Sequence, residues 1–325
     1  VPFAVAGSIA TDHLMHFPGR FAEQILPEQL HQISVSFLVD DLEIHRGGVG
    51  ANIAYSMGVL GGRPLLVGAA GQDFDEYRNF LESNGVDCST VQISKTKHTA
   101  RFTCTTDDDM CQISSFYAGA MAEAGQIELA PIVERVGEFD LVLISPDAPD
   151  AMVRHAQECR DRGYPFAADP SQQLARMDGE QVRELVDGAK FLFSNDYEWE
   201  LLLNKTGWTE ADVLQRVGMR VTTLGDKGVQ IIGSDGTPIK VGPVPAIAKG
   251  NPTGAGDAFR GGFLTALAGG LSLERACQLG ALIGVLSFET VGPQDWTFDR
   301  GSALRRLEEA YGADAAKELG AILPS

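Results

Sequence analysis

The stretch GNPTGAGDAFRGGF (residues 250–263) sets Gly254 and Gly256 around Ala255, directly before Asp257 and an apolar run of helical character. Glycines carry no Cβ, so several backbone N–H groups can converge on one point at a helix start, with the positive end of the helix dipole behind them. Such a start cradles an anion. The carboxylate beside it has two readings: an N-cap serving its own helix, or a base aimed at a group next to the bound anion. The GAG at 254–256 is not a dinucleotide-binding G-x-G-x-x-G, because Phe259 stands where the third glycine belongs, and no G-x-x-x-x-G-K-[ST] occurs in the chain.

Upstream of the cradle, the apolar runs DLVLISP (140–146), YPFAADP (164–170), AKFLFSN (189–195) and MRVTTLG (219–225) alternate with amphipathic stretches such as PDAMVRHAQECRDRG (149–163). Short apolar strands separated by helix-length segments predict an α/β fold, a mainly parallel sheet covered on both faces. Downstream, residues 249–270 and 272–292 read as two helices packed through glycine and alanine, the cradle opening the first. Residues 31–46 (HQISVSFLVDDLEIHR) and 98–118 (HTARFTCTTDDDMCQISSFYA) differ. They alternate in polarity, which predicts a small separate sheet with one wet face, a lid over the main domain.

Composition narrows the function. With 325 residues, 44% of them hydrophobic, the chain supports a large core without staples. Its formal charge of −18 repels nucleic acid, so an anionic ligand must be held by local devices: N–H cradles, a metal ion or a placed cation. The five cysteines (88, 104, 111, 159, 277) show no C-x-x-C spacing, which fits free thiols in a reducing cytoplasm. The opening VPFAVAGSIATDH reads as a strand and not as a signal peptide, and no run approaches membrane-spanning length.

Other segments carry paired readings. Gly47 and Gly48 in HRGGVGAN are a flexible join or a lid hinge, with Asn52 on the first turn of the next helix facing a hydroxylated ligand. GSIATD puts Ser8 and Asp12 beyond the first strand, where α/β sheets bind ligands; Asp12 is a turn acid or an acceptor for two vicinal hydroxyls. Asn195 and Glu198 read as a capping box. Thr223, Gly225 and Gly228 form a tight turn into a hairpin or a ligand loop. Phe102 and Phe116 are lid core or the faces on which a flat base rests; with Met121 nearby, and Gln172 and Gln173 to pair with its edge, they suit a purine.

Taken together, GSIATD (7–12), GGVGAN (47–52), NDYEWE (195–200), TTLGDKG (222–228) and NPTGAGDAF (251–259) resemble the ribokinase-like carbohydrate and nucleoside kinases across essentially the whole chain. Within that family, DHLMHFPGRF, FLVDDLEIHRGG, HTARFTCTTD, FAADPSQQLAR and NDYEWELL look most like bacterial adenosine kinases of the actinobacterial type. The resemblance implies a large domain from 1–8, 48–96 and 121–325, and a β-lid from 9–47 and 97–120. It implies transfer of the γ-phosphoryl of ATP to adenosine, with ribokinase or another sugar or nucleoside kinase, or a non-catalytic nucleoside-binding protein, as alternatives. Position by position, Asp257 matches the general base, and the N–H groups of Gly254, Ala255 and Gly256 match the anion hole. Asn195 and Glu198 match N-x-x-E, which governs Mg²⁺ through water, and Thr223, Gly225 and Gly228 match the nucleotide loop. Ser8, Asp12, Ser36, Gly48 and Asn52 fall where the family reads the sugar, and Arg176 near the phosphates. A homodimer through the lids follows, with Val35, Phe37 and Val39 as the covering residues. One departure stands out: Asn251 replaces an Asp that helps hold potassium, so potassium is expected to bind less tightly or not at all.

Overall fold

The computed structural model describes residues 2–25 and 27–325. Its centre is a sheet of eight strands, in edge-to-edge order Pro238–Val241, Val229–Gly233, Met219–Thr223, Phe191–Asn195, Phe166–Ala168, Leu141–Ile144, Phe3–Ala6 and Leu65–Val67. The six from Met219–Thr223 onward run parallel, and the first two pair antiparallel at one edge. This is the α/β architecture that the sequence predicts, a mainly parallel sheet covered on both faces. The strands are continuous apolar runs because each face is buried: Val5, Leu141, Leu143, Phe191 and Phe193 join one core, while Ala4, Ala6, Val142, Ile144 and Leu192 join the other. Helices Val49–Val59, Ala255–Ala268 and Leu273–Phe288 cover the first side, and Pro149–Arg162 and Gly179–Val186 the second.

A separate four-stranded sheet forms the lid, in the order Asp41–Gly47, Ala10–His16, Ala100–Thr106, Gln112–Tyr117. The two chain excursions meet through the parallel pairing of Ala10–His16 with Ala100–Thr106. The alternation at 31–39 does not make a strand. Gln32 ends a 3₁₀ turn, residues 33–39 are irregular, and strand structure begins at Asp41. The reason is local: Phe37 packs against Phe17 and Phe21, at ring distances of 5.0 and 4.8 Å, and draws this segment into an aromatic cluster instead of a ladder. Cys88, Cys104, Cys159 and Cys277 are buried free thiols and Cys111 is an exposed one. No helix among the described residues is long and apolar enough to cross a membrane.

Candidate active site

Five consecutive parallel strands deliver a residue each to one cavity of about 650 Å³. Ser8, Pro146, Ser171, Asn195 and Thr223 lie at or just beyond their carboxyl ends, the place where open α/β sheets bind ligands. The lid roofs the cavity. Asp12, Phe102 and Phe116 pair directly across three lid strands, so they form one row on one sheet face, and all three line the cavity. Burial holds the Asp12 carboxyl above its ordinary range. Gly48, Asn52, Met121, Gln172 and Gln173 line the same cavity.

At the other end stands the cradle. Gly254 sits at φ +83° before helix Ala255–Ala268, and a Cβ there would come within 2.3 Å of Pro293, so the position requires glycine. The N–H groups of Gly254, Gly256 and Asp257 have no partner among the described residues, whereas Ala255 N–H donates to the Pro252 carbonyl at 3.2 Å. Gly254, Gly256 and Asp257 line the cavity. Asp257 makes no side-chain cap at its helix start; its Oδ2 accepts from Asn52 Nδ2 at 2.8 Å. Desolvation by its surroundings pushes its carboxyl up to about 7, against the pull of Asn52 and Arg260. Asp169 and Glu198 add to the upward shift.

Asn195 and Glu198 form the capping box. Asn195 Oδ1 accepts from Glu198 N–H at 2.7 Å and Glu198 Oε2 accepts from Asn195 N–H at 2.8 Å, a complete capping box. Glu198 Oε1 is left for the cavity side, where the Ser171 hydroxyl donates to it at 3.2 Å. Among the described residues no cluster of three His, Cys, Asp or Glu could hold a metal by itself. A single oxygen ligand beside a phosphate cradle suits Mg²⁺, which keeps its waters and takes few carboxylates.

Some expected residues lie elsewhere. Ser36 is exposed in the irregular segment before the lid strand and does not line the cavity. Gly225 and Gly228 form the turn beyond Thr223, also outside the lining, as is Ala255. Gln173 faces the cavity, but its Nε2 already donates to the Asp147 carbonyl at 2.6 Å. Gln172 Oε1 lies 2.8 Å from the same Ser171 hydroxyl, whose single proton is shared between it and Glu198. Arg176 lines the cavity with its guanidinium unpaired among the described residues.

Sequence reasoning missed the floor. Arg260 is buried and reaches Asp169 Oδ1 at 2.6 Å and the Gly256 carbonyl at 3.0 Å, bracing the cradle from below. Both were visible, Asp169 in FAADP and Arg260 one turn after Asp257, but only the fold brings them together. Ser171 was missed as well; its φ of +43°, unusual for serine, marks it only in three dimensions.

A mostly parallel α/β sheet, a β-lid and an anion cradle with an adjacent carboxylate define a phosphoryl-transfer class of fold. The family model of the pfkB carbohydrate kinases matches residues 14–298, and the chain belongs to that family. It is 29% identical over 310 residues to a nucleoside kinase of Methanothermobacter thermautotrophicus, covering 94% of this chain and 95% of that one. The ligand-free structure of a Burkholderia thailandensis nucleoside kinase superposes with a TM-score of 0.85 at 35% identity, covering 94% of this chain and all of that one. The same Burkholderia kinase in complex with inosine gives a TM-score of 0.80 at 34% identity, over 95% and 98% of the two chains.

Proposed function

We propose that this chain is an ATP-dependent nucleoside kinase that transfers the γ-phosphoryl of ATP to the 5′-hydroxyl of adenosine. The observation that carries the reading is the row Asp12, Phe102, Phe116 on the lid, facing a cavity that ends in Asp257 and the unpaired cradle N–H groups. In this reading the phenylalanines take the base, Asp12 accepts the ribose 2′- and 3′-hydroxyls, and the 5′-hydroxyl points at Asp257. Asp257 accepts its proton while the N–H groups of Gly254 and Gly256 stabilise the charge on the transferring group. Arg176 supplies a free cation for the phosphates. Glu198 would hold, through water, the Mg²⁺ that accompanies ATP, which would neutralise phosphate charge there. Residues 9–47 and 97–120 close as the lid and exclude water.

A second reading, a kinase preferring 6-oxopurine nucleosides, draws on the commitment of one Gln173 Nε2 proton to the Asp147 carbonyl, which fixes that amide's orientation and leaves it one fewer donor for adenine. Its plausibility is raised by the relative solved with inosine. A panel of adenosine, inosine, guanosine, deoxyadenosine and ribose, each assayed for ATP-dependent phosphorylation, separates them. The expected order is adenosine well above inosine, guanosine and deoxyadenosine, with ribose last. Loss of the 2′-hydroxyl leaves Asp12 imperfectly paired, at about 1–3 kcal/mol. Inosine ahead of adenosine selects the second reading, and ribose equal to adenosine excludes both.

A further inference from the structure

A chain of buried hydrogen bonds runs from the lid junction to Asp257. The Gly47 carbonyl, at the end of lid strand Asp41–Gly47, accepts from the Tyr77 hydroxyl at 2.9 Å. The Tyr77 oxygen accepts from Gln294 Nε2 at 2.6 Å, and the same nitrogen donates to Asn52 Oδ1 at 2.7 Å. Asn52 Nδ2 completes the chain by donating to Asp257 Oδ2 at 2.8 Å. Tyr77, Gln294 and Asn52 are all buried. They come from helix Asp75–Ser83, the loop after helix Leu273–Phe288, and helix Val49–Val59.

The direction of this chain is fixed at its lid end. A carbonyl only accepts, and a phenol has one proton to donate. Burial pushes the Tyr77 phenol far above its ordinary range, so it keeps that proton and gives it to Gly47. Its oxygen must then receive, which turns the Gln294 NH₂ toward Tyr77 and Asn52. Asn52 is obliged to present its oxygen to Gln294 and its NH₂ to Asp257. A donor facing Asp257 favours the carboxylate over the acid. Gln294 gains little for itself, since its Oε1 is buried without a partner among the described residues.

We infer that Gln294, oriented by Tyr77, is a positioning residue: it holds Asn52 as a donor and so keeps Asp257 in its proton-accepting state. This role rests on the reading of Asp257 as the base. The other charged groups facing Asp257 are Arg260 on its own helix, Asp169 beyond strand Phe166–Ala168, and Glu198 on helix Asp196–Thr206. Changing Gln294 leaves all three in place.

The test uses Gln294→Met and Tyr77→Phe in the full chain. Carboxyl-carbon NMR of the ligand-free protein, with the Asp257 signal identified through Asp257→Asn, follows the titration without any turnover. The midpoint of Asp257 is expected to rise by about one pH unit in Gln294→Met and by less in Tyr77→Phe. In steady-state assays with adenosine the acidic limb of kcat should move up with it, and kcat should fall more than KM changes. A folded Gln294→Met protein with the wild-type midpoint, destabilised or not, overturns the proposal. Should Gln294→Met not fold, Tyr77→Phe decides alone: an upward shift supports the role and an unmoved midpoint removes it. If the wild-type protein phosphorylates no nucleoside, the functional reading fails while the NMR titration still decides the orientation of Asn52.

Discussion

At the scale of single residues, the proposed chemistry turns on Asp257. Asp257→Asn is expected to fold, bind nucleoside and lose at least about 10² in turnover, the loss typical of a missing general base; kcat of the purified variant checks this. With the carboxyl pushed up to about 7, wild-type kcat/KM should rise as pH climbs through neutrality. The same shift has a sign for stability. The folded carboxyl titrates near 7 and the unfolded one near its ordinary 3.8, so between those values the folded state binds more protons and loses stability as pH rises. Thermal melts should therefore find Asp257→Asn more stable than wild type above pH ~8, with the gap closing below pH ~4. Asn251 gives a second expectation. Its Oδ1 accepts from Thr253 N–H at 3.0 Å and its Nδ2 donates to the Val291 carbonyl at 3.2 Å, so the amide oxygen is occupied as well as uncharged. Exchanging sodium for potassium at constant ionic strength should change activity little, and a several-fold stimulation would show that backbone carbonyls suffice. Asp257 and its glycines were legible because a helix start is written in contiguous residues. Arg260, Asp169, Tyr77 and Gln294 were not, because the partner of each lies far along the chain and only packing selects it.

At the scale of elements, the lid sheet has two faces of opposite character. One carries Asp12, Phe102 and Phe116 toward the cavity. The other presents Ile44, Leu42, Ile113 and Tyr117, which are exposed at 59, 51, 45 and 49%. Apolar side chains gathered on one exposed sheet face mark an interaction surface, and a second copy of the chain across a twofold axis is the expected cover. Ile44→Asp with Ile113→Asp should convert a homodimer to a monomer in small-angle scattering, without unfolding either half; a monomeric wild-type protein at micromolar concentration would end this expectation. The residues named from sequence for that surface were different. Val35, Phe37 and Val39 alternate like a strand, but alternation predicts a face only when a neighbouring strand accepts the backbone, and Phe37 belongs to the cluster with Phe17 and Phe21. The parallel core strands were legible for the complementary reason: continuous apolar runs such as LVLI and FLF need burial on both sides, whatever their partners.

At the scale of the whole molecule, a charge of −18 leaves any binding of an anion to local geometry and not to bulk charge. Arg176 and the N–H groups of Gly254, Gly256 and Asp257, unpaired among the described residues, line one cavity, which makes anion binding there depend on an assembled site and not on the surface at large. The lid adds a constraint in time. Its central strands, Ala10–His16 and Ala100–Thr106, are supplied by two excursions with much of the first half of the large domain between them. During synthesis the hairpin-like pair Ala10–His16 and Asp41–Gly47 emerges early, with one long edge open. That edge stays unpaired until residues 100–106 leave the ribosome, so the nascent chain carries a sticky β-edge through the making of some fifty residues, roughly seconds at ordinary elongation rates.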